Sequence, residues 1–304
     1  MHKYTYRINF LIIISFLILN NCTKEFNNNP PQISWINESG YTSSDKTVGI
    51  GGAVMFGINV KAGDSPITNL VIKINTSLGE ETVLDSGLYS SNFKFSKTIH
   101  YGGSNYENWT FTVYDKEGKR ASCSIILNKD SNSVYGLINY FSNINIGMQQ
   151  SLMFGSMIEL IDASTYFADS AIEHQNDIYL VSYLGDLLSP QTGITLSSPS
   201  DNDVQIFYPQ ISNWTLLKNE VRYKMDSISI STNDFDNIFN DSLLIASYSS
   251  GTAGKRKFKN AKENYVIPFE VTIGALTSKK GLIKINHIEE STNGFVNIDI
   301  KIQK

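Results

Sequence analysis

Past Gln32 the chain alternates. Apolar and polar residues trade places in short runs, and Gly, Asn, Asp or Pro separates one run from the next. Ala53–Val60, Leu70–Ile74, Asn92–Phe95, Trp109–Tyr114 and Ala121–Leu127 are such runs. Period-two patterning between turn residues predicts an antiparallel β-sandwich over residues 32–129. Asp115-Lys116-Glu117-Gly118 places glycine where a tight hairpin needs positive φ. Beyond the polar linker Lys129–Ser133 a second domain is predicted over 134–304. It opens with Val134–Asn145, and its strand candidates are Phe154–Leu160, Asp177–Tyr183, Tyr265–Val271, Lys280–Ile285 and Gly294–Ile302. In the last of these, Phe295, Asn297, Asp299 and Lys301 oppose Val296, Ile298, Ile300 and Ile302. Two short helices are predicted between the strands, Ala168–Glu173 and Asn233–Phe239, the second capped by Ser231-Thr232 with acids in its first turn. Such a mixture is α+β dominated by β.

One segment breaks the alternation. Phe10–Leu19 is an almost unbroken apolar run preceded by His2, Lys3 and Arg7 and followed by Asn20-Asn21-Cys22. A basic start and a short apolar stretch predict a secretory signal peptide over residues 1–21, because the run is too short to span a bilayer. Leu19-Asn20-Asn21-Cys22 resembles a bacterial lipobox, in which the cysteine thiol is acylated and the bond before it is cut. Asparagine at both positions before the cysteine departs from the strict pattern and is similar to the looser signal of Bacteroidota lipoproteins. The resemblance implies a lipid anchor on Cys22, with membrane lipid as its partner. Each buried CH₂ contributes about 0.8 kcal/mol, so two or three acyl chains hold a protein where one does not. A plain signal peptide with an incidental cysteine, or an uncleaved anchor, is the alternative. Residues 22–31 are polar and rich in Asn and Pro, with little to bury, and read as a flexible tether. Surface-exposed Bacteroidota lipoproteins often carry an acidic cluster after the cysteine. Only Glu25 fits, which leaves the side of the outer membrane open.

Composition adds limits. The chain has 304 residues and a net charge of −4, enough for two domains that each bury a core. Mild acidity without a basic face argues against nucleic acid as a partner. Lys255-Arg256-Lys257-Phe258-Lys259 is the one basic knot, and its Gly/Ser-rich surroundings predict a solvated loop. With Cys22 lipidated, Cys123 has no disulfide partner; in its alternating segment it reads as a small buried hydrophobe.

Two further resemblances cover most of the chain. Pro31–Trp35 with Gly40-Tyr41, Gly51–Ile58, and Thr110–Lys119 leading into Ala121–Ser124 resemble the Ig-like modules at the front of many Bacteroidota lipoproteins. The Ig cysteine pair is missing. Gly155–Leu160, Asp177–Gly185, Leu196–Ser200, Asn213-Trp214, Ile267–Phe269 and Lys279–Ile285 resemble an uncharacterised domain that follows such modules. The fold class implied is mainly β, an N-terminal Ig-like β-sandwich followed by a β-dominated α+β domain. No activity comes with either resemblance.

Chemistry is sparse. His2, His100, His174 and His287 are scattered without a zinc-binding pair, and no nucleophile elbow, phosphate loop or dinucleotide fingerprint occurs. No catalytic residue, metal site or cofactor is therefore expected. Asp201-Asn202-Asp203 and Asp234-x-Asp236 read as a loop and a helix cap rather than calcium ligands. Glu159 with Asp162, and Glu289 with Glu290, look like ordinary surface carboxylates. Among the aromatic residues Trp35, Trp109, Tyr208 and Trp214 are candidates to stack on a sugar ring, with core packing as the competing reading. Ser170, Ser227 and Ser242 sit in Asp-Ser-apolar triplets of the kind some Bacteroidota O-glycosylate. The expectation is a lipid-anchored cell-envelope protein of the outer membrane, not an enzyme, working as an interaction or structural module. The alternatives are a surface glycan-binding protein of a polysaccharide-uptake system and an enzyme of unknown type.

Overall fold

A computed structural model describes residues 29–160, 162–185, 193–215, 218–224, 230–249, 254–273 and 277–304. The protein is mainly β, with four sheets and few helices. Its chain divides into two compact units. The first holds the residues up to Lys46, with Met55–Thr98 and Tyr106–Leu127; the second holds Thr47–Val54, Ile99–Asn105 and Asn128–Lys304. Among the described residues no helix is long and apolar enough to cross a membrane.

The first eight strands are β1 (Gln32–Trp35), β2 (Lys46–Val48), β3 (Ala53–Lys61), β4 (Ile67–Thr76), β5 (Gly79–Ser90), β6 (Asn92–His100), β7 (Tyr106–Asp115) and β8 (Arg120–Lys129). They form a three-stranded sheet, β1-β3-β6, and a five-stranded sheet, β2-β8-β7-β4-β5. In the first unit Phe56 from one sheet meets Trp109 and Phe111 from the other, with ring centroids 5.5 and 5.6 Å away, and Trp35 closes the cluster. Offset and edge-on aromatic pairs of this kind stabilise a core beyond their buried area. The β7–β8 hairpin turns at Asp115–Gly118 as the glycine predicts, with Gly118 at φ +80°. The Asp115 carboxylate accepts the N–H groups of Glu117 and Lys119 at 2.9 and 2.8 Å, so the side chain shapes its own turn. Of the expected tether, residues 22–28 lie outside the described residues, and its end is fastened. Asn29 donates its N–H to Asp64 Oδ2 at 2.6 Å, and its carbonyl lies so close to Gly63 that any Cβ there would collide with it.

The second unit is built on two five-stranded antiparallel sheets. β9 (Ile138–Gly147), β10 (Met157–Glu159), β11 (Thr165–Tyr166), β12 (Ile178–Leu184), β13 (Ile194–Ser197), β14 (Glu220–Tyr223), β15 (Lys257–Phe258), β16 (Val266–Ile273), β17 (Thr277–Glu289) and β18 (Phe295–Gln303) supply them, in the orders β11-β10-β12-β13-β15 and β14-β16-β17-β18-β9. Their facing sides share one core, in which Ile158, Leu180 and Leu196 meet Phe269, Ile283 and Ile298. Each sheet is also apolar on its outer side. Helix α1 (Val204–Phe207) and the 3₁₀ turns Ala171–His174 and Pro209–Asn213 contribute to a cluster with Val181 and Tyr183 on one. Helices α2 (Thr232–Asp236) and α3 (Ser242–Ser249) supply Phe235 and Leu244 to a cluster with Val266 and Leu282 on the other. Burial on both faces explains why β12 and β18 are almost wholly covered. The middle of the basic knot is not a loop: Lys257 and Phe258 form β15, paired to β13, with Phe258 in the core and Lys257 ion-paired to Asp203, while Lys255 and Arg256 stay exposed. The tertiary pairing overrode local composition.

Candidate functional site

Strand β18 carries a row of polar side chains on the sheet face that α2 and α3 cover. Asp299 accepts the Asn143 N–H at 2.8 Å, the Asn286 amide at 2.8 Å and the Lys284 ammonium at 3.0 Å. Burial alone would raise its carboxyl, but these donors hold it below the usual carboxylate range. One residue pair further on, the Lys301 ammonium donates to the carbonyls of Phe235, Asp236 and Ile238 at 2.7, 3.2 and 3.1 Å. Those carbonyls lie at the open end of α2, where the helix leaves acceptors unpaired and a cation is favoured. At the other end Ser231 and Asp234 form a reciprocal capping box. With both ends tied, the chain leaving α2 has one path.

That path presents Phe239 and Asn240. The Asn240 amide donates to the Ile50 carbonyl at 2.9 Å and accepts the Ser242 N–H at 3.1 Å, so both ends of the side chain are used. Gly51, at φ +74°, lets the backbones meet: a Cβ there would lie 2.6 Å from the Phe239 carbonyl oxygen. The ring of His100 stacks on Phe239, centroids 3.3 Å apart and planes within 4°. These residues, with Asp234, Asn237 and Ser242, line a recess of about 350 Å³ that belongs wholly to the second unit. The His100 ring makes no hydrogen bond to the described residues, and burial lowers its pKa, so at neutral pH it offers one donor and one acceptor nitrogen. The Ser242 hydroxyl is likewise without a described partner. Phe239 is 41% exposed.

A second gathering of titratable groups lies at β10 and β11. The Tyr166 hydroxyl donates to Glu159 Oε2 at 3.2 Å, and the His174 ring stacks on Tyr166 at 4.0 Å. Burial, then the nearby Asp162 charge, pushes the Glu159 carboxyl up. Asp162 itself is spent on the Ser164 N–H at 2.8 Å. Glu289 and Glu290 are exposed.

The sugar-stacking candidates lie elsewhere than expected. Trp109, Tyr208 and Trp214 are 5%, 2% and 7% exposed, and their rings are covered by core neighbours. Trp109 also ties its indole N–H to Glu107, and Tyr208 ties its hydroxyl to the Ser182 carbonyl. Trp35 is half-buried against Phe56 and Phe111. Large aromatic area drives these rings inward, so the competing core reading describes their positions. Asp201 and Asp203 face Lys257, which supplies their counter-charge. Ser170 is exposed before the Ala171–His174 turn, and Ser242 is half-buried in the recess. Cys22 and Ser227 lie outside the described residues. Compared with known proteins, the chain matches no family model and no curated protein sequence.

Sequence reasoning missed His100 and Phe239 as a pair. They stand far apart in the chain, and nothing in either neighbourhood marks them. The Asp-Ser-Leu triplet at Ser242 and the Asp234-x-Asp236 pair pointed near this place, each for another reason.

Proposed function

We propose that this chain is a lipid-anchored cell-envelope protein whose folded part serves as a non-catalytic interaction module. The anchor reading rests on Leu19-Asn20-Asn21-Cys22 after the apolar run, and the location proposed with it is the outer membrane. The interaction reading is carried by the recess: a partly exposed aromatic ring, a neutral imidazole and a hydroxyl without a described partner line it, beside the Asn240–Ile50 bond and the close approach at Gly51. Support for a non-catalytic role comes from the commitments of four acidic side chains. Asp162, Asp201, Asp203 and Asp299 are each committed to an internal donor or cation.

Metabolic labelling with an alkyne fatty acid tests the anchor, on the natural chain and on Cys22→Ala. Label present in the first and lost in the second is the expected result. Equal absence of label would remove the lipoprotein reading. Protease shaving of intact cells then reports which side of the outer membrane the two units occupy.

A further inference from the structure

We propose that the recess beside Phe239 binds a neutral sugar unit; this rests on the interaction reading above and supplies the ligand class that reading leaves open. The lining excludes charged ligands first. Among the described residues that line it, Asp234 is the one carboxylate and there is no lysine or arginine. Lys301 lies 6.0 Å from the Phe239 ring, but it is buried and its ammonium is spent on three backbone carbonyls. A phosphate or carboxylate would meet Asp234 without a facing cation, and a metal ion would find a single acidic ligand.

What remains suits a hydroxyl-rich ring. Phe239 offers partly open aromatic surface, which the apolar C–H face of a sugar covers well. Around it stand groups that exchange hydrogen bonds with hydroxyls in both directions: the neutral His100 ring and the Ser242 hydroxyl. The Asn237 amide nitrogen is bonded to the Asn233 carbonyl at 2.8 Å, which leaves its Oδ1 as a further acceptor. Unpaired polar groups at a half-covered site favour a ligand that satisfies them. Because Asn240 and Gly51 hold the frame, little ordering is needed on binding. The volume of about 350 Å³ is at the small end for ligand sites, which fits one sugar unit or the end of a short chain.

The test uses the full-length chain, purified in a sugar-free detergent and applied to an array of neutral and anionic oligosaccharides. Saturation-transfer NMR then follows the neutral sugars that are retained. At least one neutral oligosaccharide is expected to bind, and Phe239→Ala and Ser242→Ala should each weaken it about tenfold. Tyr89→Ala, at an exposed position of the first unit, should leave binding unchanged. Ser242→Ala keeps the test decisive should Phe239→Ala misfold. A blank array overturns the proposal, as does preference for anionic glycans, or binding that both recess variants leave intact. A blank array from a chain that still cross-links to an envelope protein sinks the sugar site and spares the interaction module. Loss of lipid label with sugar binding retained sinks the anchor and spares the site.

Discussion

Cys123 shows how one residue's chemistry is decided by what covers it. It lies in β8, half-buried, and burial pushes its thiol up to about 12. At pH 8 the thiolate fraction is then about one in ten thousand, against roughly a quarter for an ordinary thiol near 8.5. Under native conditions iodoacetamide should leave Cys123 unmodified over hours, and alkylation should appear only in denaturant. Rapid native labelling would show a more open thiol. Alternation in the sequence already marked this position as packed. The inertness predicted for the thiol follows from that packing, so here the residue-level reading was nearly complete.

At the scale of the element, β18 separates pattern from outcome. Its alternation predicts a strand correctly, yet Asn297, Asp299 and Lys301 are buried rather than solvated. Their partners come from β9, β17 and α2, all distant in sequence. Removing one member leaves its partners buried and uncompensated. Asp299→Ala should therefore destabilise the protein by about 3 kcal/mol, read from urea unfolding. A change under about 1 kcal/mol would mean that Lys284 and Asn286 find other partners. Helix α2 is the opposite case. Ser231 and the acid three residues later were legible as a cap, and the capping box forms as the spacing implies. Its end was not legible. The helix stops at Asp236, short of Phe239, because Lys301 takes its last carbonyls and Asn240 is held by Ile50.

For the whole molecule the same network contributes to the response to acid, together with Asp162, Glu220, Asp234 and Glu263, whose carboxyls are also held low by their donors. The Asp299 carboxyl is held below its ordinary value, so its stabilisation is complete above the usual carboxylate range and is lost as pH falls through the lowered value. Thermal unfolding should be nearly flat from about pH 7 to 5 and should fall below about pH 4. Asp299→Ala should flatten that acid limb; an identical limb would place the titration elsewhere. By itself the sequence determined that the protein is mainly β, where the closing hairpin turns and where α2 begins. Those features depend on period, turn residues and caps, which act within a few positions of one another. Only the tertiary structure decided which faces are covered, that Trp109 and Trp214 lie inside, and that Lys257 and Phe258 of the basic knot pair as a strand. It alone brought His100 to Phe239 and left Ser242 beside them. Burial and side-chain partnership depend on residues brought together from distant parts of the chain, and local pattern carries no record of who those neighbours are.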